Sequence, residues 1–248
     1  IIKPAVPVVV GEYNEESYPV FERVAREKAA PLILAENACS AHFIGDENIC
    51  GKYRLITIKH ESLPCFEYVK SPLCGAYQEK NIATFAAAAV QLSGIIGVSA
   101  DNIKPAIENL QDNFPLLGRW QVVKESPLTI CDTGHNYGCF SETMAQLKSL
   151  RYKKLHFIVG FVDDKNTDMI FPLMPSDAAY YVCAATIDRA LPSSLLADKM
   201  NSAGFAADDC GDVANAYNKA VASADEEDVI FIGGSTFVVA DFLKVLSC

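Results

Sequence analysis

Residues 118–136 read GRWQVVKESPLTICDTGHN, and the second half of this stretch decides the fold. Leu128-Thr129-Ile130-Cys131 is an apolar run that ends at Asp132, Thr133, Gly134, His135 and Asn136, and a helical pattern follows. A strand feeding a short polar loop and then a helix is the repeating unit of open α/β sheets, whose ligands gather beyond the carboxyl ends of the strands. Asp132, His135 and the unpaired N–H groups of the helix are therefore expected to face one crevice. A second reading stands beside this one: Asp132 caps the helix, and His135 is a solvated loop residue. Asp-Thr-Gly also occurs in aspartic proteases, where two such loops share a proton. This chain has one Asp-Thr-Gly, followed by helices where a protease would supply hairpins, and that class is set aside.

Downstream of this stretch the pattern repeats. Strands are expected at 129–132, 155–159, 180–184 and 229–232, each followed by a helical pattern, with a weaker strand near Phe205. Such βα repetition implies a parallel sheet covered on both faces. The carboxyl ends of its strands would bring Asp132 and His135 to one edge with Asp163, Asp164 and Lys165, then Thr186, Asp188 and Arg189, and finally Gly233, Gly234 and Ser235. This mixture of carboxylates, cations, hydroxyls and helix N-termini suits an anionic ligand that carries a sugar or an amino group. Each position alone is compatible with ordinary loop chemistry, and the alignment of the strand ends carries the reading.

Upstream, Val6–Val10 reads as a strand, Tyr18–Lys28 as a helix and Pro31–Ala35 as a second strand, a right-handed parallel crossover. Residues 36–51 lose periodicity and read as loop, and Tyr53–Ile58 and Phe66–Val69 as short antiparallel strands at an edge. An alanine-rich helix over Asn81–Leu92 precedes another that starts at Ser99 and spans Ile103–Leu110. Asn113-Phe114-Pro115 interrupts it. The domains are therefore expected at 1–117 and 118–248.

With 248 residues, half of them hydrophobic, the chain can bury cores for two modest domains. A formal charge of −10 with no cluster among its 21 basic residues argues against a nucleic-acid partner. The weakly polar run 83–98 is broken by Gln91 and Ser93 and is short for a membrane span. Nine cysteines contain no Cys-x-x-Cys, and Cys131 and Cys183 fall inside apolar strand patterns, where cysteine acts as a small hydrophobe. A reducing cytoplasm is expected, with no zinc site, and the four histidines are too scattered for a metal cluster. Because Ile1 runs almost directly into a strand without a methionine, the chain is expected to be a carboxyl-terminal piece of a longer protein; a processed start would read the same way.

Five segments, in order, give the chain its family resemblance. They are Ile1-Ile2-Lys3-Pro4 with Val9-Val10-Gly11-Glu12, Leu73-Cys74-Gly75-Ala76-Tyr77-Gln78 with Asn81, Gly118-Arg119-Trp120-Gln121, Asp132-Thr133-Gly134-His135-Asn136, and Val159-Gly160 with Asp164-Lys165. Arg189-Ala190-Leu191-Pro192 and Gly234-Ser235 extend the match. The sequence resembles the carboxyl-terminal part of folylpolyglutamate synthase, or of bifunctional dihydrofolate synthase/folylpolyglutamate synthase, in the Mur ligase superfamily. The resemblance implies an α/β protein in which the remnant of a central ATPase domain precedes a Rossmann-like Mur ligase C-terminal domain with a mostly parallel sheet. It implies ATP-dependent addition of L-glutamate to a reduced folate through an acyl phosphate, with Mg2+, in a cytoplasmic protein that is a monomer at full length. Dihydropteroate is a further substrate in part of the family.

Carried over residue by residue, the resemblance makes Asn81 the adenine contact and Arg119 a hinge residue reaching the nucleotide. Asp132 becomes the ribose carboxylate, with the orientation of glutamate as a second role, His135 and Lys165 the groups at the glutamate and reaction centre, and Ser235 a contact to the glutamate carboxylate. The chain departs from the family in reading Asp132-Thr133-Gly134-His135-Asn136 where relatives commonly carry Asp-Gly-Ala-His-Asn. It also contains no G-x-x-x-x-G-K-[ST] phosphate loop. The family's magnesium ligands, pterin site and modified lysine lie upstream of the segment matching Ile1, so residues 1–248 are expected to hold part of a bipartite site and to be inactive alone. Two rivals remain, another Mur-type amino-acid ligase and a non-catalytic nucleotide- or amino-acid-binding module. Gln121 and Tyr77-Gln78 favour the folate branch.

Overall fold

In the computed structural model, which describes residues 1–45, 51–164 and 167–247, the chain divides into two units. The first unit takes residues 1–45, Tyr53–Pro72 and Tyr77–Pro115. Its chain begins with β1 (Val8–Val10), α1 (Tyr18–Glu27) and β2 (Leu32–Leu34), and the two strands pair in parallel as the crossover pattern predicts. Where a loop was expected, the short helix α2 (Ala35–Ala38) leads into β3 (Cys39–Phe43), which pairs antiparallel with β4 (Arg54–His60). That strand has few β-branched residues to announce it. It forms because Cys39 and Ala41 turn their small side chains into the core while its backbone completes a ladder. β5 (Phe66–Ser71) pairs with the other side of β4, so β4 is the central strand and not an edge.

Three helices complete this unit: α3 (Gln78–Ile96), α4 (Ala100–Glu108) and the short α5 (Leu110–Asn113). Ile82, Ala83, Ala86, Ala87 and Ala89 of α3 pack with Ile56 and Ile58 of β4. Alanines permit this close approach. α3 stops at Gly97 in the left-handed region (φ 70°), and α4 starts with a capping box between Ser99 and Asn102.

The second unit runs from Leu116 and also takes in Leu73–Ala76, which Gln146 holds by donating to Cys74 O (3.0 Å) and accepting from Ala76 N–H (2.6 Å). Its elements are β6 (Gln121–Glu125), β7 (Leu128–Cys131), α6 (Tyr137–Ser149), β8 (Leu155–Val159), β9 (Ala179–Ala184), α7 (Ser193–Ser202), β10 (Ala206–Asp212), α8 (Val213–Ser223), β11 (Val229–Gly233) and α9 (Thr236–Leu246). The sheet order is β10-β9-β8-β11-β7-β6, parallel except for β6, which the strand pattern did not reveal and which returns antiparallel to β7. After β8 the expected helix is replaced by 3-10 turns at Thr167–Met169 and Phe171–Leu173; Ile170 between them and Phe171 join the core instead.

The central strands β8 and β11 are buried along their whole lengths, which is why β11 reads as an apolar run and β8 as one interrupted at His156. One face meets α6 and α7 through Phe140, Met144, Leu147, Leu196 and Met200. The other meets α8 and α9 through Ala216, Ala220, Val238, Val239 and Phe242. β10 lies at an edge, carries Asp208, Asp209 and Asp212, and has a register shift between Asp209 and Gly211.

One buried polar cluster interrupts this core. His156 of β8 places Nδ1 3.0 Å from the Tyr181 hydroxyl and Nε2 3.2 Å from Asp228 Oδ2, while Asp228 accepts from Asp225 N–H at 2.8 Å. Burial pushes the Asp228 carboxyl up, but the Asp225 N–H and His156 outweigh it and hold the group below its ordinary value. A depressed carboxyl stabilises the fold above its unfolded pKa of about 3.9, and that contribution is lost as pH falls through the lower folded value. The urea midpoint is therefore expected to drop below about pH 4, and Asp228→Asn to lack this component while being less stable at pH 7.

Gly160, just beyond β8, allows two backbones to touch. A Cβ there would stand 2.3 Å from Cys183 O and 2.9 Å from Val238 Cγ2. Gly160→Ala is expected to cost about 2–3 kcal/mol in chemical denaturation, because a main-chain oxygen cannot swing aside.

Candidate functional site

The site is built where β7 leaves the sheet. Asp132 N–H donates to Ile232 O (3.0 Å), which continues the β11 pairing by one residue, and the side chain then turns inward at 3% exposure. Its Oδ2 accepts Trp120 N–H (2.8 Å) and its Oδ1 accepts Gly134 N–H (2.7 Å). The carboxylate is thus tied to two loops at once. The cap of α6 is a different residue: Asn136 Oδ1 accepts Cys139 N–H at 3.0 Å.

Residues 118–121 wrap this carboxylate through unusual backbone geometry. Gly118 has φ 68°, and the non-glycine Trp120 has φ 48°. A left-handed tryptophan carries strain of about 1–3 kcal/mol, and it persists because its ring is buried 6.1 Å from Phe231 while its N–H is taken by Asp132. Between these two residues Arg119 is exposed, and its guanidinium donates to the Thr133 hydroxyl. Thr133 N–H in turn donates to Gly118 O (2.8 Å).

His135 is exposed, with Nδ1 3.0 Å from Thr133 O. A carbonyl only accepts, so the proton belongs on Nδ1 and Nε2 is the acceptor of the neutral ring. Ser235 is buried and caps α9, accepting Phe237 N–H at 3.2 Å. Asn81 belongs to the first unit, on the first turn of α3, where its Nδ2 donates to Gln78 Oε1 (2.9 Å). Lys165 lies outside the described residues.

Main-chain ties join the remaining strand ends. Asp163 N–H donates to Arg189 O (3.0 Å) and Leu191 N–H to Phe161 O (2.9 Å), so the loops after β8 and β9 are stitched together. Thr186 N–H donates to Asp241 Oδ2 (2.7 Å), and the Arg189 guanidinium lies 5.2 Å from the Phe237 ring, which anchors both to α9. Beside the Arg119–Thr133 contact runs an apolar groove of about 600 Å³ lined by Leu117, Thr133, Val239, Ala240 and Leu243. A second cavity, about 460 Å³, sits in the first unit, where the Lys80–Glu12 (2.8 Å) and His42–Glu79 (3.7 Å) pairs occupy its wall. Among the described residues no group of three or more His, Cys, Asp or Glu side chains is arranged to hold a metal ion. The Cys131 thiol is pushed up to about 12 by burial and then by Asp132, so at neutral pH it is an inert part of the core.

The sequence put forward Asp132, Arg119 and His135, which the structure places on or against this loop, and did not single out Trp120 and Gly118 as the parts that shape it. The signal for Gly118 was its glycine; for Trp120 there was none.

Residues 118–236 match the Mur ligase, glutamate ligase domain. Over these residues the second unit is similar to the glutamate ligase domain of the Mur ligases. Within that class, the chain is similar to the probable bifunctional folylpolyglutamate synthase/dihydropteroate synthase of Haloferax volcanii, at 30% identity over 176 residues, 70% of this chain and 20% of that protein. Among solved structures it is similar to E. coli FolC in complex with DHPP and ADP (TM-score 0.79, 25% identity, 99% of this chain and 54% of that one). It shares the fold of a Yersinia pestis bifunctional folylpolyglutamate synthase/dihydrofolate synthase complexed with AMPPNP and Mn ion (TM-score 0.76, 22% identity, 99% and 54%). The chain thus spans about half the length of these solved relatives and resembles the carboxyl-terminal part of folylpolyglutamate synthase. No helix among the described residues is long and apolar enough to cross a membrane.

A Cβ on Gly118 would stand 2.6 Å from Thr133 Cγ2 and 2.8 Å from Val239 Cγ1. Gly118→Ala is expected to lose about 2 kcal/mol of stability, and adding Thr133→Ser, which deletes the nearer methyl, to recover part of it in a double-mutant cycle.

Proposed function

We propose that the protein contributes to ATP-dependent addition of L-glutamate to a reduced folate, and that dihydropteroate is a second acceptor to be tested. The observation that supports this is the joining of Arg119 and Asp132 to one loop of a glutamate ligase domain, with His135 exposed on the same loop.

A carboxylate is a poor electrophile, and ATP supplies the phosphoryl group that turns it into an acyl phosphate open to an amine. Such chemistry depends on positioning and on neutralising phosphoryl charge. The exposed Arg119 guanidinium fits a phosphate or ribose of the nucleotide, the role for which planar forks of N–H donors are suited. Asp132, already fixed by two N–H groups, would orient the ribose and the loop. His135 Nε2, the acceptor nitrogen, would take a hydrogen bond from the glutamate ammonium and can hold its proton as the amine is released for attack. Lys165 would neutralise a carboxylate or the transferred phosphoryl, Ser235 would stand near the glutamate carboxylate and Asn81 near the adenine. Mg2+ would neutralise phosphoryl charge on the bound nucleotide; among the described residues no set of three acidic, His or Cys side chains is arranged to hold it. A monomer in the cytoplasm is the setting that goes with this reading.

The deciding assay is ADP release by the natural polypeptide. Release that requires both glutamate and a reduced folate is expected. Release only with a nucleotide-linked peptidoglycan precursor would move the protein to another Mur branch, and ADP binding without turnover would leave a binding module. Arg119→Ala is expected to raise KM for ATP about tenfold, the loss of one charge-assisted hydrogen bond, without changing the melting temperature. Lys165→Ala is expected to impair glutamate use or turnover instead, and unchanged kinetics would remove Lys165 from the site.

A further inference from the structure

Thr143, inside α6, does not behave as a helical threonine usually does. Such a residue commonly returns its hydroxyl to the carbonyl four residues earlier. Thr143 Oγ1 has no hydrogen-bond partner, although the residue is only 4% exposed. It lines a narrow crevice with Asp132, Gly134, Phe140, Met144 and Gly234, and no water-sized sphere fits there. Water therefore does not satisfy it. Phe140 and Met144 offer the hydroxyl no strong acceptor. The polar group facing the same crevice is the Asp132 carboxylate.

Gly134 stands between the two. A Cβ on it would lie 3.0 Å from Asp132 Oδ1 and 3.6 Å from Thr143 Oγ1, so carboxylate and hydroxyl flank one Cα without bonding. That same Cβ would lie 3.0 Å from Cys139 Cβ, so the absence of a side chain is what leaves the loop room to settle onto α6.

The geometry points to Thr143 as a positioning residue for Asp132: when nucleotide engages the loop 132–136, the loop settles against α6 and the Thr143 hydroxyl donates to Asp132 Oδ1. This rests on the nucleotide-binding reading of the loop given above. The unpaired hydroxyl costs stability in the free protein and returns it in the complex, so ligand binding and loop closure are linked.

Thr143→Val removes the hydroxyl while keeping the branched shape, and Thr143→Ser keeps the hydroxyl. In the natural polypeptide, with ADP and Mg2+ as the probe, Thr143→Val is expected to melt at or above the wild-type temperature without ligand. Its ADP-induced rise is expected to be smaller, with KM for ATP about tenfold higher and kcat within about twofold. Thr143→Ser should restore the rise and KM. A lower ligand-free melting temperature with a full ADP-induced rise would mean that the hydroxyl is already bonded in a purely structural role, and would overturn the inference. So would a full rise and unchanged KM in the valine variant. If the wild type itself gains nothing from ADP, the nucleotide reading of the loop fails, and this inference with it; a responsive wild type matched by the valine variant sinks Thr143 alone.

Discussion

One buried carboxylate, that of Asp132, receives main-chain N–H groups from two directions, Trp120 and Gly134. Both donors sit in segments that no regular ladder could satisfy, so the carboxylate replaces secondary structure as the partner of the backbone. Removing it would take away the partner of the Trp120 N–H and with it one of the contacts that offset the strain of that left-handed residue. The exposure of Arg119 follows from the same constraint: with left-handed residues on both sides, the chain reverses at 119 and turns the guanidinium outward to Thr133.

The rim of the sheet is assembled in the same manner, by backbone contacts. Gly160 lets the β8 exit touch the β9 carbonyl at Cys183, and Gly234 (φ 95°) brings the β11 exit against Gly160 O, which a Cβ there would approach to 2.6 Å. Three strand ends are thus packed main chain to main chain, and the loops beyond them are tied by Asp163, Leu191 and Thr186 N–H groups. Side chains at this rim are held on a frame that does not depend on their own packing.

These causes explain what the amino-acid sequence disclosed. β7, β8 and β11 were legible because burial on both faces demands consecutive apolar residues, and that demand is local. β3 was not, since Cys39-Ser40-Ala41-His42 is specified by the partner strand and not by its own propensities. The antiparallel strand β6 of the second unit hid for a similar reason: Lys124 and Glu125 are polar, exposed edge residues. In the site, Asp132 and His135 were legible from their place after a strand. The alternative reading, with Asp132 as the α6 cap, fails because Asn136 is one residue from the helix and takes that role. Trp120's conformation and Thr143's lack of a partner depend on residues distant in sequence, and no local pattern records either.

The edge strand β10 sets where the sheet ends. Asp208, Asp209 and Asp212 line it, and the break in register at Gly211 (φ 75°) kinks its ladder. A second molecule offering its own β10 would bring aspartate against aspartate across a bent row of hydrogen-bonding groups, while Lys219 is already committed to Asp208 at 2.6 Å. Strand-by-strand growth on this side is opposed by charge and shape together. At the β10 edge, a sheet whose central strands are heavily apolar thus offers a poor template for aggregation.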